Sequence, residues 1–118
     1  MTGKSSPSGS LQAFKAEFFR ALGHPIRIRI LELLVGGERS VQELQEVLDL
    51  EQPVVSQQLA MLRAKNVVKA RKEGTTVRYT IRDASIRELL AIARRIFDNQ
   101  LIDTQTMLRE LRREGRRR

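Results

Sequence analysis

The chain has 118 residues, of which 22 are Lys or Arg and 14 are Asp or Glu, so its net charge is +8. This length suits one domain with a modest core, and the cationic excess predicts a polyanionic partner, nucleic acid above all. Because the chain has no cysteine, disulfides, thiolate zinc sites and thiol redox sensing are excluded. Aromatic residues make up only 4%, which argues against a surface that stacks single-stranded bases.

The two ends of the chain differ in composition from the middle. Residues 1–10, MTGKSSPSGS, are small and polar, so we expect a disordered tail rather than a signal peptide. Residues 112–118 are mostly arginine and are expected to fray as a basic tail, which leaves a domain at 11–111. No segment approaches the roughly 18 consecutive apolar residues of a membrane-spanning helix. The expected compartment is therefore the cytoplasm.

Two helices are predicted in the first third of the chain. Apolar residues recur at helical spacing from Leu11 to about Leu22. Pro25 suits the first turn of the next helix, which is expected to end at the glycine pair 36–37 and to direct Arg27 and Arg29 outward. The expected inward residues of this helix are Ile26, Ile30, Leu33 and Leu34.

A pair of helices joined by a tight turn is predicted next. Ser40, with Glu43 three residues later, forms a capping box that opens a short helix. The apolar face of this helix consists of Val41, Leu44, Val47 and Leu48. The second helix spans 52–65, and Asn66 suits a left-handed residue at its end. Its inward stripe consists of Val55, Leu59 and Leu62.

The hydrophobic period then changes from that of a helix to that of a strand. Residues 68–71 and 77–82 alternate between apolar and mostly cationic side chains, and a glycine-containing loop at 73–75 joins them. This pattern predicts a hairpin with one apolar and one cationic face. After a cap at Asp83 or Ser85, helical spacing resumes and continues to Leu111.

The order of these elements predicts a mainly α fold with a small β-hairpin, the winged helix-turn-helix. In this fold the second helix of the turn pair enters the DNA major groove, and the hairpin forms a wing beside it. On the free face of helix 52–65, Gln57 can pair with adenine, Ser56 can bond a base or a phosphate, and Val54 can touch a thymine methyl. The predicted contacts of this helix are Gln52, Val54, Ser56, Gln57, Arg63 and Lys65, and those of the wing are Arg71, Lys72, Thr75, Thr76 and Arg78.

Three segments in register resemble the ArsR/SmtB family of bacterial winged-helix repressors. They are FRALGHPIRIRIL at 19–31, VVSQQLAMLR at 54–63 and RKEGTTVRY at 71–79, and the similarity extends from about residue 11 to 113. The resemblance implies a dimeric repressor that binds an inverted-repeat operator, with Ser56 and Gln57 facing the DNA, and releases it when an effector binds. The sequence departs from the family at Val54, where serine is frequent, and at Asn66, where glycine is frequent.

The last predicted helix is too long and too apolar to be covered by a core of this size. The resemblance implies a dimer built from the first and last helices, with half-sites about 34–36 Å apart. The alternative is a helix that packs only on its own domain. The predicted interface residues are Phe14, Phe18, Ile86, Leu89, Leu90, Ala93, Ile96, Phe97, Leu101, Met107 and Leu108.

The effector is not specified by the sequence. Family members commonly sense metals through cysteines, or through histidines and carboxylates of the last helix, whereas this chain has one histidine, His24, and no cysteine. A lone histidine before a proline is more typical of a hydrogen-bonded turn than of a ligand, so no metal site is assigned. The remaining metal candidate is Ni²⁺, Co²⁺ or Zn²⁺ bound by His24 with carboxylates across the dimer. Another small molecule or a partner protein is equally compatible.

Nothing in the sequence indicates catalysis. No histidine stands beside a serine or an acid pair, and there is no glycine-rich phosphate loop. We therefore expect a homodimeric, operator-binding transcriptional repressor rather than an enzyme. The alternatives are an architectural protein that binds nucleic acid without sequence preference, and a protein-interaction module that uses the long helix and has lost DNA binding.

Overall fold

The computed structural model describes residues 7–117, and within this range the predicted order of elements is confirmed. A small antiparallel sheet, with strand order β1-β3-β2, packs beside the helices. The elements are α1 (Pro7–Leu22), α2 (Pro25–Val35), β1 (Arg39–Ser40), α3 (Val41–Leu48), α4 (Gln52–Ala64), β2 (Val68–Glu73), β3 (Thr76–Ile81) and α5 (Ala84–Arg117).

Both terminal helices are longer than the sequence pattern predicted. Helix α1 begins at Pro7, four residues before Leu11, because proline and small polar residues are tolerated in a first helical turn. Residues 1–6 of the predicted tail lie outside the described residues. At the other end, α5 continues through 112–117, where fraying was expected. Arginine is a good helix former, and positive charge is favourable at a helix carboxyl end.

Strand β1 was not predicted. Arg39 pairs with Tyr79 and Ser40 with Arg78, so β3 becomes the central strand of the sheet. Two residues are too few to show an alternating pattern, and only their pairing with a distant strand identifies them. This pairing fixes the hairpin to the start of α3.

The core lies between α2, α3, α4 and the sheet. The predicted inward stripe of α4 is confirmed, since Val55, Leu59 and Leu62 are fully buried. The other fully buried apolar residues are Ile30, Leu31, Leu34, Leu44, Val67 and Val68. Val47 was wrongly assigned to the inner face of α3 and is 51% exposed. Leu44 and Leu48 are one turn apart in this eight-residue helix, and both point into the core. Val47 lies about 100° around the helix from Leu48 and so points away from the core.

Two further assignments are corrected by the packing. Ile86, predicted in the dimer interface, is only 8% exposed in the single chain and belongs to the domain core, because the first turn of α5 lies against the core. Arg27, predicted to point outward, is also 8% exposed. Its guanidinium is directed toward the carboxyl end of α1, where its Nε donates to the carbonyl oxygen of Ala21 at 2.7 Å.

The predicted helix caps are confirmed. The Ser40 Oγ accepts a hydrogen bond from the Glu43 N–H at 3.1 Å, and the Ser40 N–H donates to the Glu43 carboxylate at 2.8 Å. Asn66 has a left-handed φ of 61°, and the next N–H, that of Val67, donates to the Leu62 carbonyl at 2.9 Å. At α5, the Asp83 carboxylate accepts from the Ser85 N–H at 2.8 Å. These caps fix the first turns of α3 and α5 and the last turn of α4.

The substitution Ser40→Ala removes the acceptor of the capping box. We expect the free energy of unfolding at neutral pH to fall by about 1 kcal/mol, as measured by urea titration followed by circular dichroism. Ser85→Ala is the matched control, because that side chain is exposed, and its effect should stay within about 0.5 kcal/mol. Equal effects of the two substitutions would show that the box does not stabilise the domain.

Candidate DNA-binding surface

Helices α3 and α4 form the helix-turn-helix. Helix α3 ends at Leu48, and the next residue, Asp49, has a left-handed φ of 55° that reverses the chain. The Asp49 N–H donates to the Gln45 carbonyl at 2.8 Å. Proline in the first turn of α4 restricts the chain to a helical φ where no N–H donor is needed. Because the inner stripe of α4 is fully buried, the opposite side of this helix must face solvent.

The predicted base-reading residues lie in the first half of α4. Gln57 is exposed, and within residues 7–117 its side-chain amide makes no hydrogen bond to another residue, which leaves both its donor and its acceptor for a ligand. The Gln52 Nε2 donates to the Ser56 Oγ one turn later, at 3.3 Å. Val54 and Ser56 are half-buried, so only part of each side chain is accessible. An exposed amide beside a hydroxyl can recognise the edge of a base.

The two cations at the end of α4 have different surroundings. Arg63 is exposed, and no ion pair is formed by it in the part of the chain that the structure describes. Lys65 Nζ lies 3.3 Å from the carboxylate of Glu17 in α1. The sequence predicted DNA contacts for both, but the structure places Lys65 against α1.

The wing is a tight hairpin. Gly74 and Thr75 form its turn between the paired residues Glu73 and Thr76, and Gly74 has a φ of +64°, which a type II′ turn requires at its first central position. The register places Arg71 directly opposite Arg78. Two like charges across neighbouring strands repel each other, so this pair needs nearby acidic side chains.

Three glutamates hold the two wing arginines. Arg71 donates through Nε and Nη2 to the two carboxylate oxygens of Glu38, at 3.1 and 2.7 Å, and it also reaches Glu73. Arg78 donates to Glu73 at 3.0 Å and to Glu43 at 3.4 Å. Sequence reasoning missed these pairs. Glu38 and Glu43 are more than 30 positions from their partners, whereas Glu73 is close in sequence to both arginines but was assigned only to the turn.

The arginines shift the titration of these carboxyl groups. The hydrogen bond from Arg71 lowers the pKa of Glu38, and the bonds from Arg78 and Arg71 lower the pKa of Glu73. The pKa of Glu43 is lowered chiefly by the hydrogen bond from the Ser40 backbone, with a smaller contribution from Arg78. All three glutamates are therefore ionised at neutral pH and cancel charge that would otherwise attract DNA.

The remaining wing residues are more accessible. Lys72 and Thr75 are exposed, and the Lys72 ammonium group forms no ion pair within the described range. Thr76 is half-buried beside the turn. The exposed tip of the hairpin thus offers one unpaired ammonium group and hydroxyl groups, which are suitable donors to phosphate oxygens.

Helices α1 and α5 leave large apolar side chains uncovered. Phe14 is 74% exposed and Phe97 is 55% exposed. Of the other predicted interface residues, Ile96, Leu101, Met107 and Leu108 are exposed, whereas Phe18, Leu89, Leu90 and Ala93 are half-buried. Phe19 of α1 is also exposed and was not among the predicted interface residues. Ile92 and Ile102 are exposed as well, but each is five residues from Phe97 and so lies about 140° away around α5. Between α1, the end of α4 and the start of α5 lies an open groove of about 890 Å³, which is lined in part by Phe14, Phe18 and Leu89.

The candidate metal ligand serves as a helix cap. The Nδ1 of His24 accepts a hydrogen bond from the Ile26 N–H at 3.2 Å, which leaves only Nε2 for a metal. Within residues 7–117, no three His, Asp or Glu side chains are grouped so that they could hold an ion. In the same range, no helix is long and apolar enough to cross a membrane.

Comparison with known proteins identifies the family. Residues 24–70 match the model of the bacterial regulatory protein family arsR. The HTH-type transcriptional regulator Rv0081 of Mycobacterium tuberculosis is 48% identical over 109 residues, which are 92% of this chain and 96% of that protein. Its crystal structure has a TM-score of 0.74 and 49% identity, covering 84% of this chain and 97% of that one.

Two other solved structures are similar over most of their length. The homodimeric winged helix-turn-helix DNA-binding domain of Mb0332 from Mycobacterium bovis has a TM-score of 0.76 and 31% identity, covering 86% of this chain and 94% of that one. The transcriptional repressor BigR from Xylella fastidiosa has a TM-score of 0.68 and 30% identity, covering 80% and 97%. The chain therefore belongs to the arsR family of bacterial regulatory proteins, and it is a winged helix-turn-helix, DNA-binding transcriptional regulator.

Proposed function

We propose that the protein is a repressor that binds an inverted-repeat operator as a homodimer and is released by an effector. In this proposal α4 of each subunit enters the major groove, and the wing contacts the adjacent phosphates. The observation that carries the proposal is the free face of α4, where Gln57 is exposed and its side-chain amide has no partner within residues 7–117. Its role is regulatory rather than catalytic, and its compartment is the cytoplasm, where bacterial DNA lies.

The recognition helix supports a sequence-specific role. Its inner stripe is fully buried, so α4 cannot turn about its axis without exposing apolar surface. Gln57 is then held at the surface. There its amide N–H can donate to N7 of an adenine while its amide oxygen accepts from the N6 amino group of the same base. The neighbouring Ser56 hydroxyl is oriented by its hydrogen bond with Gln52. Such a rigid pair of polar groups favours one base sequence over others.

The wing supports an electrostatic role. Lys72 can approach a phosphate directly, whereas Arg71 and Arg78 must first exchange a glutamate for a phosphate oxygen. Arg71 is about half-exposed, and exposed ion pairs contribute little stability, so this exchange is inexpensive. We infer that wing contacts add affinity for any DNA, and that α4 adds the preference for an operator.

The central test is the affinity for the promoter of the protein's own gene against a random duplex, measured by fluorescence anisotropy at physiological salt. We expect a preference of about 10³-fold for the promoter, which Gln57→Ala should reduce at particular base pairs. Thr106→Ala, at an exposed position of α5, is the control and should leave the preference unchanged. Equal affinity of the wild type for both duplexes would favour an architectural DNA-binding protein instead.

A second test concerns the glutamates that hold the wing. In Glu38→Gln, Arg71 loses a charged competitor, so binding to both duplexes should become tighter and more sensitive to salt. The lowered pKa of Glu38 means that the wild-type carboxylate is ionised at neutral pH, where the comparison is made. Lys72→Ala is the control with the opposite expected effect, because it removes a phosphate contact. It should weaken both complexes and lower the slope of log affinity against log salt concentration by about one. Weaker binding by Glu38→Gln would mean that the glutamate positions Arg71 rather than competing for it.

The apolar surface of α1 and α5 supports the homodimer. A single chain with Phe14, Phe97 and Leu101 mostly exposed has a patch that soluble monomers rarely expose. A second copy of the chain, related by two-fold symmetry, can cover this patch with the same residues. The same symmetry places two α4 helices at successive major grooves of an inverted repeat.

Sedimentation equilibrium of Phe97→Glu tests this interface. Phe97 and Thr106 are nine residues apart, so they lie on opposite faces of α5, and Thr106→Glu is the matched control. We expect Phe97→Glu to be monomeric and to lose operator binding, with its helical circular dichroism retained, whereas Thr106→Glu should remain dimeric. A dimeric Phe97→Glu would place the subunit interface elsewhere.

A further inference from the structure

Arg27 is buried without an acidic partner. Its side chain lies in α2, is 8% exposed, and forms no ion pair with the part of the chain that the structure describes. A buried charge is costly unless hydrogen bonds replace its water. The guanidinium instead donates to three neutral oxygens, which are the carbonyls of Ala21 and Arg20 and the side-chain oxygen of Gln58.

Two of these bonds attach Arg27 to the end of α1. Nε donates to the Ala21 carbonyl at 2.7 Å, and Nη2 donates to the Arg20 carbonyl at 3.2 Å. The last carbonyls of a helix lack partners within the helix and carry partial negative charge. The guanidinium therefore caps the carboxyl end of α1, and the helix end in turn stabilises the buried charge.

The third bond reaches the recognition helix. Nη1 of Arg27 donates to the Oε1 of Gln58 at 3.0 Å, between residues 31 positions apart. Gln58 is half-buried and directly follows Gln57, the exposed amide of α4. The ion pair of Lys65 with Glu17 joins the same two helices at the far end of α4. Within residues 7–117, these two polar links connect α4 with α1, and the Arg27 side chain is the buried one of the two cations.

We propose that Arg27 is a positioning residue, which fastens α4 to the carboxyl end of α1 through Gln58 and thereby sets the placement of Ser56 and Gln57 on DNA. The guanidinium fork is suited to this, because its donors have fixed directions and can hold two helices at one angle. Since α1 also carries the exposed Phe14, a change at the subunit surface reaches the recognition helix by this route. This last step rests on the proposed function, since it requires α1 to lie at a dimer interface.

The experiment compares operator preference in variants of the link. Gln58→Met keeps the length of the side chain and removes the acceptor, and Arg27→Lys keeps the charge but cannot reach three oxygens. The ratio of promoter to random-duplex affinity, measured by fluorescence anisotropy, should fall about tenfold in each. Ile30→Val is the matched control, because it removes one buried methylene from the same helix α2, and its ratio should be that of the wild type.

The double variant separates positioning from direct contact. If Arg27 acts through Gln58, the combination of Arg27→Lys and Gln58→Met should lower the ratio no further than either change alone. Additive losses would mean that Gln58 itself touches DNA, and an unchanged ratio in Gln58→Met would mean that the link does not position α4. Either result would overturn the proposal.

Amide hydrogen exchange of the free protein tests the link without DNA. Exchange in α4 should be faster in Arg27→Lys and Gln58→Met than in Ile30→Val. Equal exchange in all three would overturn the proposal. If the wild type bound both duplexes equally, the repressor hypothesis would fail, and this measurement would still decide whether Arg27 fastens α4.

Discussion

The burial of one stripe of α4 is the constraint on which the DNA-binding surface depends. Val55, Leu59 and Leu62 are fully buried, and each such side chain contributes about 1.5–3 kcal/mol through apolar burial. Turning the helix by one residue would expose this stripe and bury the polar side of the helix. The free energy that stabilises the domain therefore also keeps Gln57 at the surface. Core packing and, in the proposed function, DNA reading are two consequences of one amphipathic helix.

The wing offers less free positive charge to DNA than a net charge of +8 suggests. Arg71 and Arg78 are opposite each other in the sheet, and Glu38, Glu43 and Glu73 offset their repulsion. Because these pairs are at the surface, a phosphate can replace a carboxylate at little cost. In the proposed function this small cost applies equally to DNA of every sequence, so the preference for an operator comes from α4.

The remaining helices connect this surface to the rest of the molecule. Helix α5 is 34 residues long, and most of it extends beyond the core with apolar side chains uncovered. Helix α1 adds Phe14 to that surface and is attached to α4 through the buried guanidinium of Arg27. The same element thus lies at the uncovered surface and next to the recognition helix. In the proposed function, that arrangement is a physical path between subunit contacts and DNA reading.

Patterns within a few neighbouring residues were sufficient to predict the helices, the hairpin, the capping box at Ser40 and the inner stripe of α4. These features depend on local hydrogen bonds and on the helical and strand periods, which the sequence shows directly. The bond of Arg27 to Gln58 and the pairs of Glu38 and Glu43 with the wing arginines join residues more than 30 positions apart. The strand at 39–40 depends on pairing with a distant strand. Periodicity indicates which side of a helix is apolar, but it does not say what covers that side. For this reason Ile86 was placed in an interface while the structure buries it in the core, and only tertiary packing decided that.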